Sequence, residues 1–253
     1  MKGPETPRRD FIKTGVLAGS AFLVAACGTS NTNTATAKDK PEESKPEGDK
    51  KEGIDVTPVE DLMREHGVLR RCLIVFNEAA IMLPTNPPAI YVDALQKTAK
   101  LFRAFGEEYH EKRLEEQFIF PLIREKGAGG PAGNYPDILM SQHARGREIT
   151  DFIISSTAAG KLTADARDIA NALSGFTRMY EVHAAHEDTV VFPAWKELMS
   201  EDEYDDLGDK FEDIEYEQFG EDGFGEALKQ IAEVESELGI NDISKFTPPA
   251  PGK

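Results

Sequence analysis

Between residues 57 and 199, apolar positions recur every three or four residues, the period of an α-helix that buries one face. From Thr57 to Leu83 that face is Leu62, Leu69, Leu73 and Phe76. Thr57, followed by Pro58 and by Glu60 three positions on, predicts a capped start, and Asn86-Pro87-Pro88 predicts the turn after it. A second pattern runs from about Ala89 to Lys126 with Leu95, Phe102 and Phe105 on one stripe, until Gly127 to Gly133 breaks it. The third starts around Tyr135 or Pro136 and carries Ile138, Leu139, His143, Ile149, Phe152 and Ile153. It stops at Ala158-Ala159-Gly160. The fourth, from about Thr163 to Met199, carries Ile169, Leu173, Phe176 and Tyr180. No strand-like alternation interrupts them. The expected fold is all-α: an antiparallel up-down four-helix bundle over 57–199, with short loops.

The flanks differ in kind. At the N-terminus, Arg8-Arg9-Asp10-Phe11 precedes an apolar run from Gly15 to Ala26, too short to span a bilayer and so read as a signal segment. It resembles a twin-arginine export signal, a route that carries folded and often cofactor-loaded proteins. Leu23-Val24-Ala25-Ala26-Cys27 resembles a bacterial lipobox, which implies acylation of Cys27 and a membrane-anchored lipoprotein, periplasmic or at the cell surface. Residues 28–56 are polar, too poor in apolar surface to offset the entropy of ordering, and are expected to be a tether. After the bundle, 200–253 is expected to be an acidic helical extension. It holds a helix from Glu201 to Gln218, the turn Gly220-Glu221-Asp222-Gly223, and an amphipathic helix from about Phe224 to Leu238 with Leu228, Ile231 and Leu238 inward.

Charge sharpens this division. The 253 residues carry a formal charge of −17, most of it in the extension, so the rest of the chain is only mildly acidic. Nucleic acid is excluded as a partner, because phosphate contacts need clustered Lys and Arg. The acid run reads as a solvated face, with a cationic protein partner as the alternative. The two cysteines, Cys27 and Cys72, sit in unlike settings and suggest no disulfide framework. Cys72 reads as a small buried hydrophobe.

The chemistry lies in a stretch that occurs twice. The segments from His110 to Pro121 and from His183 to Pro193 align on their Phe-Pro ends. Glu115 then matches Glu187 and Glu116 matches Asp188. His183 and Glu187, four apart, leave one helical face and can reach one ion or two neighbouring ions. His66 lies about 17 residues before the first loop and His110 about 22 after it, so at 1.5 Å per residue they return to similar heights. His143 and His183 do the same about the third loop. Four imidazoles at one level of a core, two of them beside repeated carboxylates, predict a metal site. Imidazole and carboxylate suit Fe, Mn, Zn or Cu, and the scarcity of thiolates disfavours iron–sulfur clusters.

The first copy is out of step. Five residues separate His110 from Glu115, and five residues turn a regular helix to about 140°. Either a π-bulge absorbs the extra residue or Glu111 contributes; Glu115 is preferred because it aligns with Glu187. His186 is a weaker candidate ligand. Pro121 and Pro193 either kink their helices or end them. Tyr109 and Tyr180 are expected to pack in the core.

The His-x-x-x-Glu pair ending in Phe-Pro resembles the hemerythrin-like family of cation-binding bundles, over roughly residues 57 to 199. The resemblance implies a non-haem centre of two iron ions, with Mn or Zn as substitutes, held by His66, His110, His143, His183, Glu115 and Glu187. Arg147 stands where oxygen-carrying hemerythrins have a second histidine four residues on, which points to the broader cation-binding branch. The function it implies is binding or sensing O2 or another small diatomic such as NO, rather than catalysis. A di-iron enzyme or iron-repair protein acting on nitric oxide or peroxide is the alternative.

Overall fold

The computed structural model describes residues 56–252 apart from 86–88, 128–129, 159 and 221. The expected export signal, the acylated Cys27 and nearly all of the tether lie outside the described residues. Among those residues every regular element is a helix.

Helix α1, Pro58–Met82, begins as the sequence predicts: the Thr57 hydroxyl accepts the Glu60 amide and Pro58 occupies the first turn. Helix α2 (89–126) is one rod of three windings: α-helical over Ala89–Leu101, π-helical over Phe102–Ile119, and α-helical again over Phe120–Lys126. Gly127 stops it with a left-handed φ of 65°. Helix α3, Tyr135–Thr157, and helix α4 (166–196) follow; α4 also changes winding, with a π segment at Glu187–Val191 between Ala166–His186 and Phe192–Lys196. Pro121 and Pro193 therefore sit in the first turn of a fresh α segment, where their missing amides leave no bond unmade.

Each long helix packs on two others: α1 on α2 and α4, and α3 on α2 and α4. That ring is compatible with a four-helix bundle. The predicted stripes of α1, α2 and α4 are buried. On α3 the inner face keeps Leu139, His143 and Ile153 of the expected residues and adds Gly146 and Thr150, while Ile138 lies outside it with 52% of its surface exposed. Hydrophobicity misplaces part of this stripe because α3 turns polar and small residues inward. At one level of the core Phe76, Phe102, Phe176 and Tyr180 meet largely edge to face at 4.5–6.1 Å, a geometry each ring pair prefers by about 0.5–1.5 kcal/mol.

The extension is not a loose tail. Helix α5, Glu201–Phe219, opens with a capping box of Ser200 and Glu203, and helix α6, Gly223–Leu238, follows the turn. Tyr204, Phe211, Ile214, Phe224, Ile231 and Val234 are buried in the same core as the long helices. Its inner side on α6 is Phe224, Ala227, Ile231 and Val234, with Leu228 and Leu238 only partly covered. Arg71 on α1 pairs with Glu235 on α6, and the Tyr204 hydroxyl accepts the Val59 amide at 2.9 Å. Among the described residues no helix is long and apolar enough to cross a membrane.

Candidate metal centre

His66, His110, His143 and His183 come from α1, α2, α3 and α4 in turn, and all four are buried. They meet in two pairs. The Nε2 atoms of His66 and His110 lie 3.0 Å apart, and those of His143 and His183 lie 3.1 Å apart. Two carboxylates sit between the pairs. Glu115 places Oε1 3.3 Å from His110 Nε2 and Oε2 3.3 Å from His143 Nε2. Glu187 Oε2 lies 3.0 Å from His183 Nε2 and 3.5 Å from His66 Nε2. Each carboxylate thus touches one imidazole of each pair.

The winding of α2 turns Glu115 toward the histidines. In a π segment each amide bonds five residues back, as Phe120 N–H does to the Glu115 carbonyl, so side chains five apart share a face. His110 and Glu115 therefore point the same way, and the extra residue is absorbed. Glu111 points elsewhere: it accepts the Tyr180 hydroxyl at 2.6 Å and pairs with Arg147 at 3.2 Å. It groups with Glu116 and His143, not with the Nε2 cluster. His186 donates Nδ1–H to the Val182 carbonyl at 2.7 Å and rests against Tyr135, away from the other imidazoles.

The far nitrogen of every imidazole is fixed. His66 Nδ1–H donates to Asp188 (2.7 Å), His110 to Glu65 (2.6 Å), His143 to Glu116 (2.9 Å) and His183 to the Gln142 side-chain oxygen (2.9 Å). An acceptor on Nδ1 places the proton there and leaves the Nε2 lone pair facing inward, the arrangement by which proteins orient metal-binding histidines. Phe192 stacks on His66 and Phe120 on His143, at 5.4 and 5.6 Å. The repeated Phe-Pro thus supplies a ring that holds a histidine flat.

Four inward oxygens, both of Glu115 and both of Glu187, are buried without a hydrogen bond from any described residue. Burying a carboxylate uncompensated costs several kcal/mol, on the order of what a fold can scarcely spare. Four aimed lone pairs and four orphaned oxygens fit a bound cation. His66, His110 and Glu115 have ligand atoms within reach of one ion, and Glu115, His143, His183 and Glu187 likewise. Electrostatics agrees. Burial opposes charge on His110, yet Glu115 and Glu65 hold its imidazole well above the ordinary value. Against the same burial, Glu111, Glu115 and Glu116 raise His143 to about 10. Burial, with the His143 charge, lowers His183 to about 3. Burial and the Glu115 charge push Glu187 well up, whereas the imidazoles of His110 and His143 outweigh burial and pull Glu115 well down.

The hemerythrin HHE cation binding domain matches residues 57–195, more than half of the chain and all six residues that meet here. The chain belongs to the hemerythrin family. Membership implies a bound metal ion, typically iron. Uncharacterized proteins of Mycobacterium bovis and Mycobacterium tuberculosis are 37% identical over 243 residues, covering 95% of this chain and 91% of theirs. No solved structure matches. Relative to its sequence, this hemerythrin-family chain hides its supporting residues best. Tyr109 donates to Glu65 (3.1 Å), so neither tyrosine merely packs. Glu65, Gln142 and Tyr109 each precede a histidine directly, and Glu116 and Asp188 are the second members of the repeated carboxylate pairs. That adjacency was the available signal. Cys72 is fully buried, and burial pushes its thiol up, as a small core residue requires.

Proposed function

We propose that the chain is an antiparallel up-down bundle holding a non-haem di-iron centre that binds or senses O2 or another small diatomic such as NO. The observation that carries this is the pairing: two histidine pairs, with a carboxylate reaching into both. His66 and His110 would hold one ion, His143 and His183 the other, with Glu115 and Glu187 shared between them. Iron supplies, when bound, an open coordination position and one-electron redox chemistry. The residues supply the rest. A cavity of about 10 Å3 adjoins the rings of His66, His110 and His183 and is walled by Leu69, Leu73 and Ala184. That is room for roughly one water-sized molecule, which favours a diatomic over a larger substrate. Its lining is mostly apolar, with Arg70, Glu111 and Tyr180 as the polar residues beside the histidines.

Anaerobic reconstitution tests the reading: about two iron atoms per chain are expected, and a content well under two ends it. Exposure of the reduced protein to air separates binding from turnover. A new, persistent visible band supports a binder, and rapid bleaching to the diferric form supports the alternative, a di-iron enzyme or repair protein acting on nitric oxide or peroxide. We further propose export by the twin-arginine route and anchoring through acylated Cys27, on the strength of Arg8-Arg9 and the residues before Cys27. Labelled fatty acid should enter the wild type and not Cys27→Ser; labelling of both sinks the anchor. We also propose the acidic face of the extension as a surface suited to a cationic protein partner.

A further inference from the structure

The Gly-rich turn and the extension around it have no role in the centre as described so far, yet a chain of contacts runs from them to one of its histidines. Phe219 is the last residue of α5, and Gly220 reverses the chain beside it with a left-handed φ of 76°. Gly223 then passes directly over the ring: a Cβ there would stand 2.2 Å from Phe219 Cδ2. The Phe224 amide, just after the turn, donates to buried Glu215 on α5 at 2.6 Å. Glycine at both positions is what lets the turn close on Phe219 and hold it. The ring meets Tyr109 edge to face, centroids 5.3 Å apart, and also contacts Phe105 at 6.1 Å. Tyr109, wholly buried, donates its hydroxyl to Glu65 Oε1 at 3.1 Å, and Glu65 Oε2 accepts His110 Nδ1–H at 2.6 Å.

We infer that the C-terminal extension is part of the metal centre's support: the turn seats Phe219 on Tyr109, which through Glu65 fixes the orientation of His110. Tyr109 and Phe219 are positioning residues, and they act on one histidine pair only. The other pair is held from within the bundle, His143 by Glu116, which Arg147 holds in turn, and His183 by Gln142. The inference rests on the two-ion reading above, and its effect is selective. Losing a partner that orients a metal-bound histidine typically weakens metal affinity about 10- to 100-fold.

The test is anaerobic titration of the full chain with Co2+ alone, for the wild type, Tyr109→Phe and Phe219→Leu. Both variants keep an apolar side chain and remove, respectively, the hydroxyl and the aromatic edge. One Co2+ should bind as in the wild type, and the second should weaken by about 10- to 100-fold in Tyr109→Phe and by less in Phe219→Leu. In the metal-free protein the His110 Nδ1–H resonance should move while those of His143 and His183 stay. Equal weakening of both ions, as general destabilisation would give, overturns the inference, and so does an unchanged titration. A wild type that takes up a single Co2+ sinks the two-ion reading instead; the support chain then stands only if Tyr109→Phe weakens that one ion.

Discussion

The two halves of the centre are built to one plan, and their few differences carry the information. In each half the residue before the first histidine holds the second: Glu65 holds His110, and Gln142 holds His183. In each, the residue after the shared carboxylate crosses over to the other half, Glu116 to His143 and Asp188 to His66. In each, an arginine four residues after a histidine pairs with that crossing carboxylate, Arg70 with Asp188 and Arg147 with Glu116. Against this symmetry stands one substitution: Glu65 is a carboxylate where Gln142 is a neutral amide. His110 is held well above its ordinary value by Glu115 first and Glu65 after it, while burial and the His143 charge take His183 down to about 3. If two ions bind as proposed, equal geometry with unequal charge would give them different electron supply.

The comparison breaks most completely at the shared carboxylates. Glu115→Ala or Glu187→Ala should lose both ions, because each carboxylate reaches a histidine of each pair, whereas His66→Ala or His183→Ala should spare one; metal analysis of the purified variants decides. If a carboxylate variant keeps one ion tightly, the carboxylates are not shared.

Next in size is Gly146→Ala. A Cβ at Gly146 would stand 2.1 Å from the Tyr180 hydroxyl, so the methyl must displace the tyrosine that bonds Glu111. Overpacking of this kind costs about 1–3 kcal/mol. Gly175→Ala, in helix α4 with open space around it, should instead gain up to about 1 kcal/mol. Denaturant unfolding of the two metal-free variants should show opposite signs.

Exchanging the asymmetric pair gives a smaller change. Glu65→Gln should weaken the ion on His66 and His110 by about tenfold, and Gln142→Glu should strengthen the other. Ion-by-ion titration reads both, and no change in either removes the argument from charge.

Proton linkage sharpens the same contrast. His143, near 6.5 when unfolded and about 10 when folded, contributes stability that is full below 6.5 and lost as pH rises towards 10. Glu187, pushed up, acts in the same direction, since its neutral form is the favoured one in the fold. Thermal midpoints of the metal-free protein should therefore fall between pH 7 and 10, while those of the loaded protein hold. Metal uptake must expel these protons, so affinity should increase with pH from 6 to 8. The smallest effect belongs to His186→Ala, which should leave metal content unchanged; a lost ion would bring His186 into the centre.

Much of this was legible in the chain. Leu62, Leu69, Leu73 and Phe76 on α1, and Ile169, Leu173, Phe176 and Tyr180 on α4, carry a periodicity that any buried helix must show, and they are buried. Four histidines at matching depth, with Glu187 four after His183, marked the centre for the same reason: rise per residue is fixed, so depth can be counted. Two residues of the inner face of α3 escaped, Gly146 and Thr150, because they serve partners on other helices and so carry no hydrophobic signal. The extension was legible in part, for its two helices and the inward Ile231 were expected. Its acid content suggested a solvated appendage, while its few apolar residues, Phe211, Ile214, Phe219 and Ile231, do the packing.

The repeat itself marks the boundary between the two kinds of knowledge. Composition, period and spacing determined an all-helical chain with histidine and carboxylate gathered at one level, since these follow from local geometry. Whether Glu115 or Glu111 turns inward depended on how α2 winds between its neighbours. A π segment is a poor local bargain that packing must stabilise, so only the tertiary structure could select it. The same holds for the nitrogen that each imidazole presents. Asp188, Glu65, Glu116 and Gln142 are four among many polar residues until the helices assemble and bring each to its own ring.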